Sequence, residues 1–133
     1  MRRGAATAGI ALLVMVGAGC GDGTPAFCEP LSRQADMARL SAALDAGDLA
    51  KAQREAARFA RLAEEAPDEV RPDLKALASG VADVVEVLQA DAAGGDPAAV
   101  ERQREELNTR LAELGRRSTS VQTWASRECG LEL

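Results

Sequence analysis

The chain has 133 residues, a net charge of −5, 47% hydrophobic residues and no histidine or tyrosine. That length accommodates one domain. The acidic balance argues against nucleic acid, whose binding wants a positive footprint, and the lack of histidine removes the commonest general base and transition-metal ligand.

The chain opens on Met1-Arg2-Arg3 and an apolar stretch from Ala5 to Ala18, with Ile10-Ala11-Leu12-Leu13-Val14-Met15-Val16 as its core. A positive start followed by a short apolar run is a signal-peptide pattern. The strongly apolar core falls short of the roughly 18 residues a spanning helix needs. Gly17, Gly19, Gly21 and Gly23 follow at once and would fray a buried N-terminal helix. The run Val16-Gly17-Ala18-Gly19-Cys20 resembles the end of a bacterial lipoprotein signal, where small residues precede a cysteine that becomes the lipidated first residue. Ala18, Gly19 and Cys20 match that pattern; Gly17 stands where an aliphatic residue is usual. The resemblance implies a signal peptide over 1–19, a lipidated Cys20 with a short spacer over 20–26, and a domain over 27–133. Cleavage after Ala18 or Ala26 would instead give a secreted protein. Loss of residues 1–19 removes Arg2 and Arg3 and takes the net charge from −5 to −7. Membrane association would then come from the lipid rather than from the protein surface.

Cys28 and Cys129 are the remaining cysteines. Outside the cytoplasm they are expected to pair. The loop closed would span about 100 residues, worth up to about 4.7 kcal/mol in the chain-entropy model. Two free thiols or a metal pair are the alternatives; the latter lacks histidine partners.

From Phe27 onward the chain reads as helix after helix. Alanine supplies 28 of the 133 residues, and Glu, Arg and Leu reinforce the same preference. The first helix is expected over about Pro30 to Ala46. It carries one stripe of Leu31, Ala35, Ala38 and Ala42 beside another of Met37, Leu40 and Leu44, the wide apolar surface of a helix with two neighbours. Gly47 stops it, and Asp48 caps the next. The second helix, Leu49 to Glu65, places Leu49, Ala52, Ala56, Phe59, Ala60 and Ala63 on one face. Ala66-Pro67-Asp68-Glu69 restarts the chain into a third helix ending near Ala92. Its stripe is Val70, Leu74, Leu77, Val81, Val84 and Leu88. Pro72 can shift its start, and Gly80 marks either a close helix crossing or a bend. Gly94-Gly95 ends it.

Asp96-Pro97 opens the fourth helix with a cap and a first-turn proline. Val100, Leu107, Leu111 and Leu114 line its inner face. The spacings Arg102–Glu106, Glu106–Arg110 and Glu113–Arg117 suit ion pairs along the helix. Gly115 is expected to end it, and Ser118 or Thr119 to cap a short last helix with Val121, Trp124 and Ala125. Short connections between long helices force antiparallel neighbours. The expected fold is therefore all-α: a four-helix up-down bundle with a short C-terminal fifth helix, closed by Cys28–Cys129. Such a bundle brings both termini to one end, which is independent support for the disulfide. A tetratricopeptide-like pair of helical hairpins is the alternative.

The search for chemistry yields little. Gly94-Gly95-Asp96-Pro97 lacks the lysine and spacing of a phosphate loop. Asp45, Asp48, Asp91 and Asp96 flank glycine turns without the register of a calcium loop, and read as caps and surface. Glu101, Glu105, Glu106 and Glu113 read as a solvated acidic surface. No catalytic residue, cofactor or metal ligand is expected. The candidate interaction residues are Trp124, either an exposed anchor or the packing over one end of the bundle, and Arg110, Arg116 and Arg117, gathered near the fourth helix's C-terminus.

Cys28, together with Trp124-Ala125-Ser126-Arg127-Glu128-Cys129-Gly130 near the other end, resembles the small secreted or lipid-anchored all-helical proteins of actinobacteria. That resemblance carries no activity with it. The function expected is a non-enzymatic cell-envelope lipoprotein, lipid-anchored on the extracytoplasmic side, with a helical interaction or scaffold domain. Its partner would be an envelope protein. The alternative is a carrier of a small apolar or lipid-like ligand, in a cavity lined by Leu and Val of the third and fourth helices.

Overall fold

The computed structural model describes residues 25–34 and 37–133. The signal segment, Cys20 and most of the spacer lie outside the described residues. The protein is all-α, with four main helices, a short fifth and the Cys28–Cys129 disulfide. In chain order the helices are α1 (Cys28–Gln34), α2 (Ala38–Asp45), α3 (Leu49–Glu65), α4 (Arg71–Ala92) and α5 (Pro97–Cys129).

Three boundaries follow the local signals. Gly47 separates α2 from α3, and the Asp48 carboxylate accepts from the Lys51 N–H at 2.9 Å. The α3 helix has the span the sequence implies. Asp96 caps α5 through the Ala98 N–H, with Pro97 at the first helical position. Pro67 to Val70 form a turn, so α4 begins at Arg71 with Pro72 in its first turn.

Two boundaries do not. The expected first helix is two, α1 and α2, joined through Met37, whose φ of 48° is left-handed. The reason lies in its two apolar stripes. Leu31 belongs to the cluster around Trp124, whereas Leu40 and Ala43 belong to a second cluster with Ala52, Ala56 and Val85. No straight helix reaches both, and Met37 packs against each. The short element is therefore N-terminal. At the other end, Gly115 does not stop the chain. The α5 helix runs unbroken for 33 residues and absorbs the expected C-terminal helix. It ends at Gly130, whose φ of 64° lets Gly130 and Leu131 donate to Ser126 and Ala125 carbonyls.

Helices α3 and α4 are antiparallel: Gln89 near the end of α4 donates to the Leu49 carbonyl at the start of α3, and Lys75 pairs with Glu64 at the opposite ends. Helix α5 runs back along α4. Arg104, Arg110, Arg117 and Arg127 pair in turn with Asp91, Asp83, Asp73 and Glu69, in opposite order along the two segments. At Gly80 the two helices approach so closely that a Cβ would lie 2.7 Å from Leu114 Cδ1. Gly80 thus marks a close crossing.

The helices form a row, α2 on α3, α3 on α4, and α4 on α5. Only α1 reaches across from α3 to α5. The disulfide, with its Cα atoms 5.4 Å apart, pins α1 to the end of α5. The core beneath is wholly apolar, with no buried polar side chain among the described residues. Because α2 is only 8 residues long and does not pack on α5, the bundle stays open along one side.

Candidate functional site

The open side is an apolar groove of about 320 Å³. Leu77, Gly80, Val81 and Val84 of α4 form its floor. Leu107, Leu111, Leu114 and Val121 of α5 form one wall; Leu31, Met37 and Phe59 form the other, with Leu133 at the margin. Among the described residues no charged side chain lines it, and its polar members are Ser118 and Gln122. A volume of this size lies at the small end of ligand pockets, which run from about 300 to 1,000 Å³.

The groove arises because the α4 and α5 stripes are broader than their shared contact. Val70 is buried in the cluster around Trp124, Val85 turns toward α2 and α3, and the apolar residues from Leu74 to Val84 face the opening. Leu111, expected on an inner face, is 54% exposed at the edge of the groove.

A second hollow, about 300 Å³, adjoins it. Pro30, Arg33 and Gln34 from α1, Arg39 and Leu40 from α2, and Glu55 and Arg58 from α3 surround it. Met37 and Phe59 line both hollows. Arg33 pairs with Glu29 at 3.2 Å, with both side chains largely in solvent, and Arg58 lies 3.9 Å from Glu55.

The candidate interaction residues fall elsewhere. Trp124 is 5% exposed and stacks edge-on with Phe27, their centroids 6.1 Å apart. The exposed-anchor reading of Trp124 is thereby corrected: α1 and the disulfide cover that end of the core. Arg110 and Arg117 face α4, in ion pairs with Asp83 and Asp73; Arg117 also reaches Glu113 at 3.3 Å. Arg116 is exposed and makes no such pair among the described residues. The three arginines thus do not converge. Of the expected ion pairs along α5, Glu113–Arg117 is present, whereas Arg110 turns to α4 instead of Glu106.

No family model, curated protein or solved structure matches the chain. Its functional reading rests on its own geometry.

Hydrogen bonding to Asp73, then to Glu113, raises the Arg117 pKa above its ordinary value; Glu128, then Glu69, do the same for Arg127. A raised basic pKa adds stability that is complete below the unfolded value and fades only as pH climbs past the folded one. For guanidinium groups both values lie far above neutrality, so this contribution does not vary across the physiological range. The aspartates at the turns have local roles: Asp48 and Asp96 cap helices, and Asp91 holds Arg104. Among the described residues no three metal-ligating side chains gather, and no helix is long and apolar enough to cross a membrane.

Sequence reasoning named the groove's α4 and α5 walls, as the inner face of a bundle and, in the carrier alternative, as the lining of an internal cavity. It missed the arginine hollow altogether. The available signal was the kinked register of the first helix: two stripes on one short segment foretell a break, and the break brings Arg33 and Arg39 toward Arg58.

Proposed function

We propose that the protein is a non-enzymatic cell-envelope lipoprotein, anchored through Cys20, whose helical domain binds a small apolar, lipid-like ligand in the groove between α4, α5 and the α1–α3 wall. The observation that carries this reading is the groove itself: about 320 Å³, lined by Leu and Val of α4 and α5, with no charged side chain among its described lining residues. Such a lining suits an aliphatic chain, whose transfer from water is worth about 0.8 kcal/mol per buried methylene. Burial of Trp124 leaves the groove, rather than the capped end of the bundle, as the binding face. The pattern at Ala18-Gly19-Cys20 supports the anchor.

One observation favours an interaction or scaffold role instead. Leu111 stands 54% exposed on the groove's edge, where the apolar face of a partner helix from an envelope protein could also rest.

An uncharged naphthylamine dye tests the groove. The domain is expected to bind it with enhanced fluorescence, and Leu111→Lys to weaken that binding at least tenfold while the domain remains folded by circular dichroism. Absence of dye binding, or binding unaffected by Leu111→Lys, would overturn the ligand reading. Intact mass of the protein purified from its own membrane tests the anchor: an unmodified Cys20 would remove it.

A further inference from the structure

We propose a second binding site, for a neutral sugar, in a polar hollow of about 290 Å³ between the start of α4 and the second half of α5, with the Trp124 indole N–H as its anchoring donor. It goes beyond the lipid-binding reading and does not depend on it, since this hollow and the apolar groove share no lining residue.

An uncommitted donor marks the place. Trp124 is 5% exposed, yet its indole N–H makes no hydrogen bond among the described residues. Buried tryptophan usually pairs that group. No side-chain nitrogen or oxygen among the described residues is both sealed from solvent and unpaired, so this N–H reaches the surface. Trp124 borders the polar hollow and neither of the two spaces described above. A donor on an almost wholly buried ring is held in place before any ligand arrives, which lowers the ordering cost of binding.

Acceptors stand beside it on α5. Thr119 and Thr123 line the hollow and donate their hydroxyl protons to the carbonyls of Gly115 and Thr119, at 3.1 and 2.9 Å. Their oxygens keep lone pairs with which to accept. The Ser120 hydroxyl has no partner among the described residues and can donate or accept.

The charges around the hollow select a neutral ligand. Glu69 and Asp73 line it, paired with Arg127 and Arg117, which also hold Glu128 and Glu113. With Arg116 one turn before Ser120, three guanidinium groups stand against four carboxylates, so no positive excess awaits an anion. Each of the four carboxylates already meets a guanidinium, which leaves none for a cation. What is free is a set of neutral donors and acceptors at several fixed points. Sugar hydroxyls donate and accept at several points of one small ring, whereas an amide offers one group of each kind.

The single tryptophan makes the site directly visible, because the chain gives one indole N–H signal. The test follows that signal by nuclear magnetic resonance in the folded protein, titrated with the methyl glycosides of glucose, galactose, mannose and N-acetylglucosamine. At least one of the four is expected to shift it saturably. Ser120→Ala combined with Thr123→Val should weaken that binding by about tenfold or more, with circular dichroism unchanged and the naphthylamine dye still bound in the groove. No saturable shift with any of the four would overturn the site, as would equal binding by the double variant. A larger response to the diamine putrescine or to sulfate than to every sugar would overturn the neutral ligand. Loss of dye binding in the unaltered protein bears on the groove alone, so the two sites stand or fall separately.

Discussion

Trp124 and Met37 show how much single side chains decide here. The chain has only three aromatic residues, Phe27, Phe59 and Trp124, and alanine supplies little apolar area to make up the difference. Trp124 lies in the larger cluster, against Phe27 and beneath α1. Its truncation leaves a cavity that small neighbours such as Ala63, Ala66 and Ala125 cannot fill. Trp124→Ala is therefore expected to destabilise the domain by about 3–5 kcal/mol, a large part of the roughly 5–15 kcal/mol typical of a domain. Urea unfolding followed by circular dichroism measures it; a loss under 1 kcal/mol would mean that the residue is not a core element. Met37 accepts a left-handed backbone, a conformation costing an L-residue about 1–2 kcal/mol. Its side chain offsets that cost by joining both apolar clusters. Neither burial nor backbone at these positions could be read from residue type alone, because each depends on what the rest of the chain brings alongside.

Among the helices, α3 is the most legible. A clean apolar face, a glycine before it and an Asp cap define its ends without help from its neighbours. Helix α5 is the opposite case. Gly115 is a local stop signal, but an exposed mid-helix glycine costs only about 1 kcal/mol. The Arg117–Asp73 pair and the burial of Val121, Trp124 and Ala125 beyond it outweigh that penalty. A Cβ at Gly115 would meet nothing within 4 Å. Gly115→Ala should therefore stabilise the domain by about 1 kcal/mol, read as an increase in the urea midpoint at constant slope. A decrease would show that the glycine serves a bend or a close approach. The ion pairs joining α5 to α4 and to the turn before it were equally hidden. Their partners stand 13, 27, 44 and 58 residues apart, and no periodic pattern along one helix reports them.

Across the whole molecule, closure and opening are in tension. Cys28 and Cys129 join positions 101 residues apart and hold a seven-residue α1 over the Trp124 end. A helix that short has no stability of its own in water. Replacing both cysteines by serine is expected to lower stability by about 2–5 kcal/mol and to expose the Phe27–Gln34 segment to proteases before the rest of the domain. Uniform resistance along the chain, with unchanged stability, would refute that role for the bond. At the other side, the short α2 leaves one flank of α5 uncovered, and the groove results. The sequence by itself determined the all-α class, the ends of α3, the pairing of the two domain cysteines and the apolar stripes of α4 and α5. These rest on local propensity, caps and periodicity, which act within a few residues. Only the tertiary structure decided that the first helix breaks at Met37, that α5 continues past Gly115, and that the α4 and α5 stripes face an opening beside three arginines. Those outcomes depend on which distant surfaces are available to pack, and no local signal carries that information.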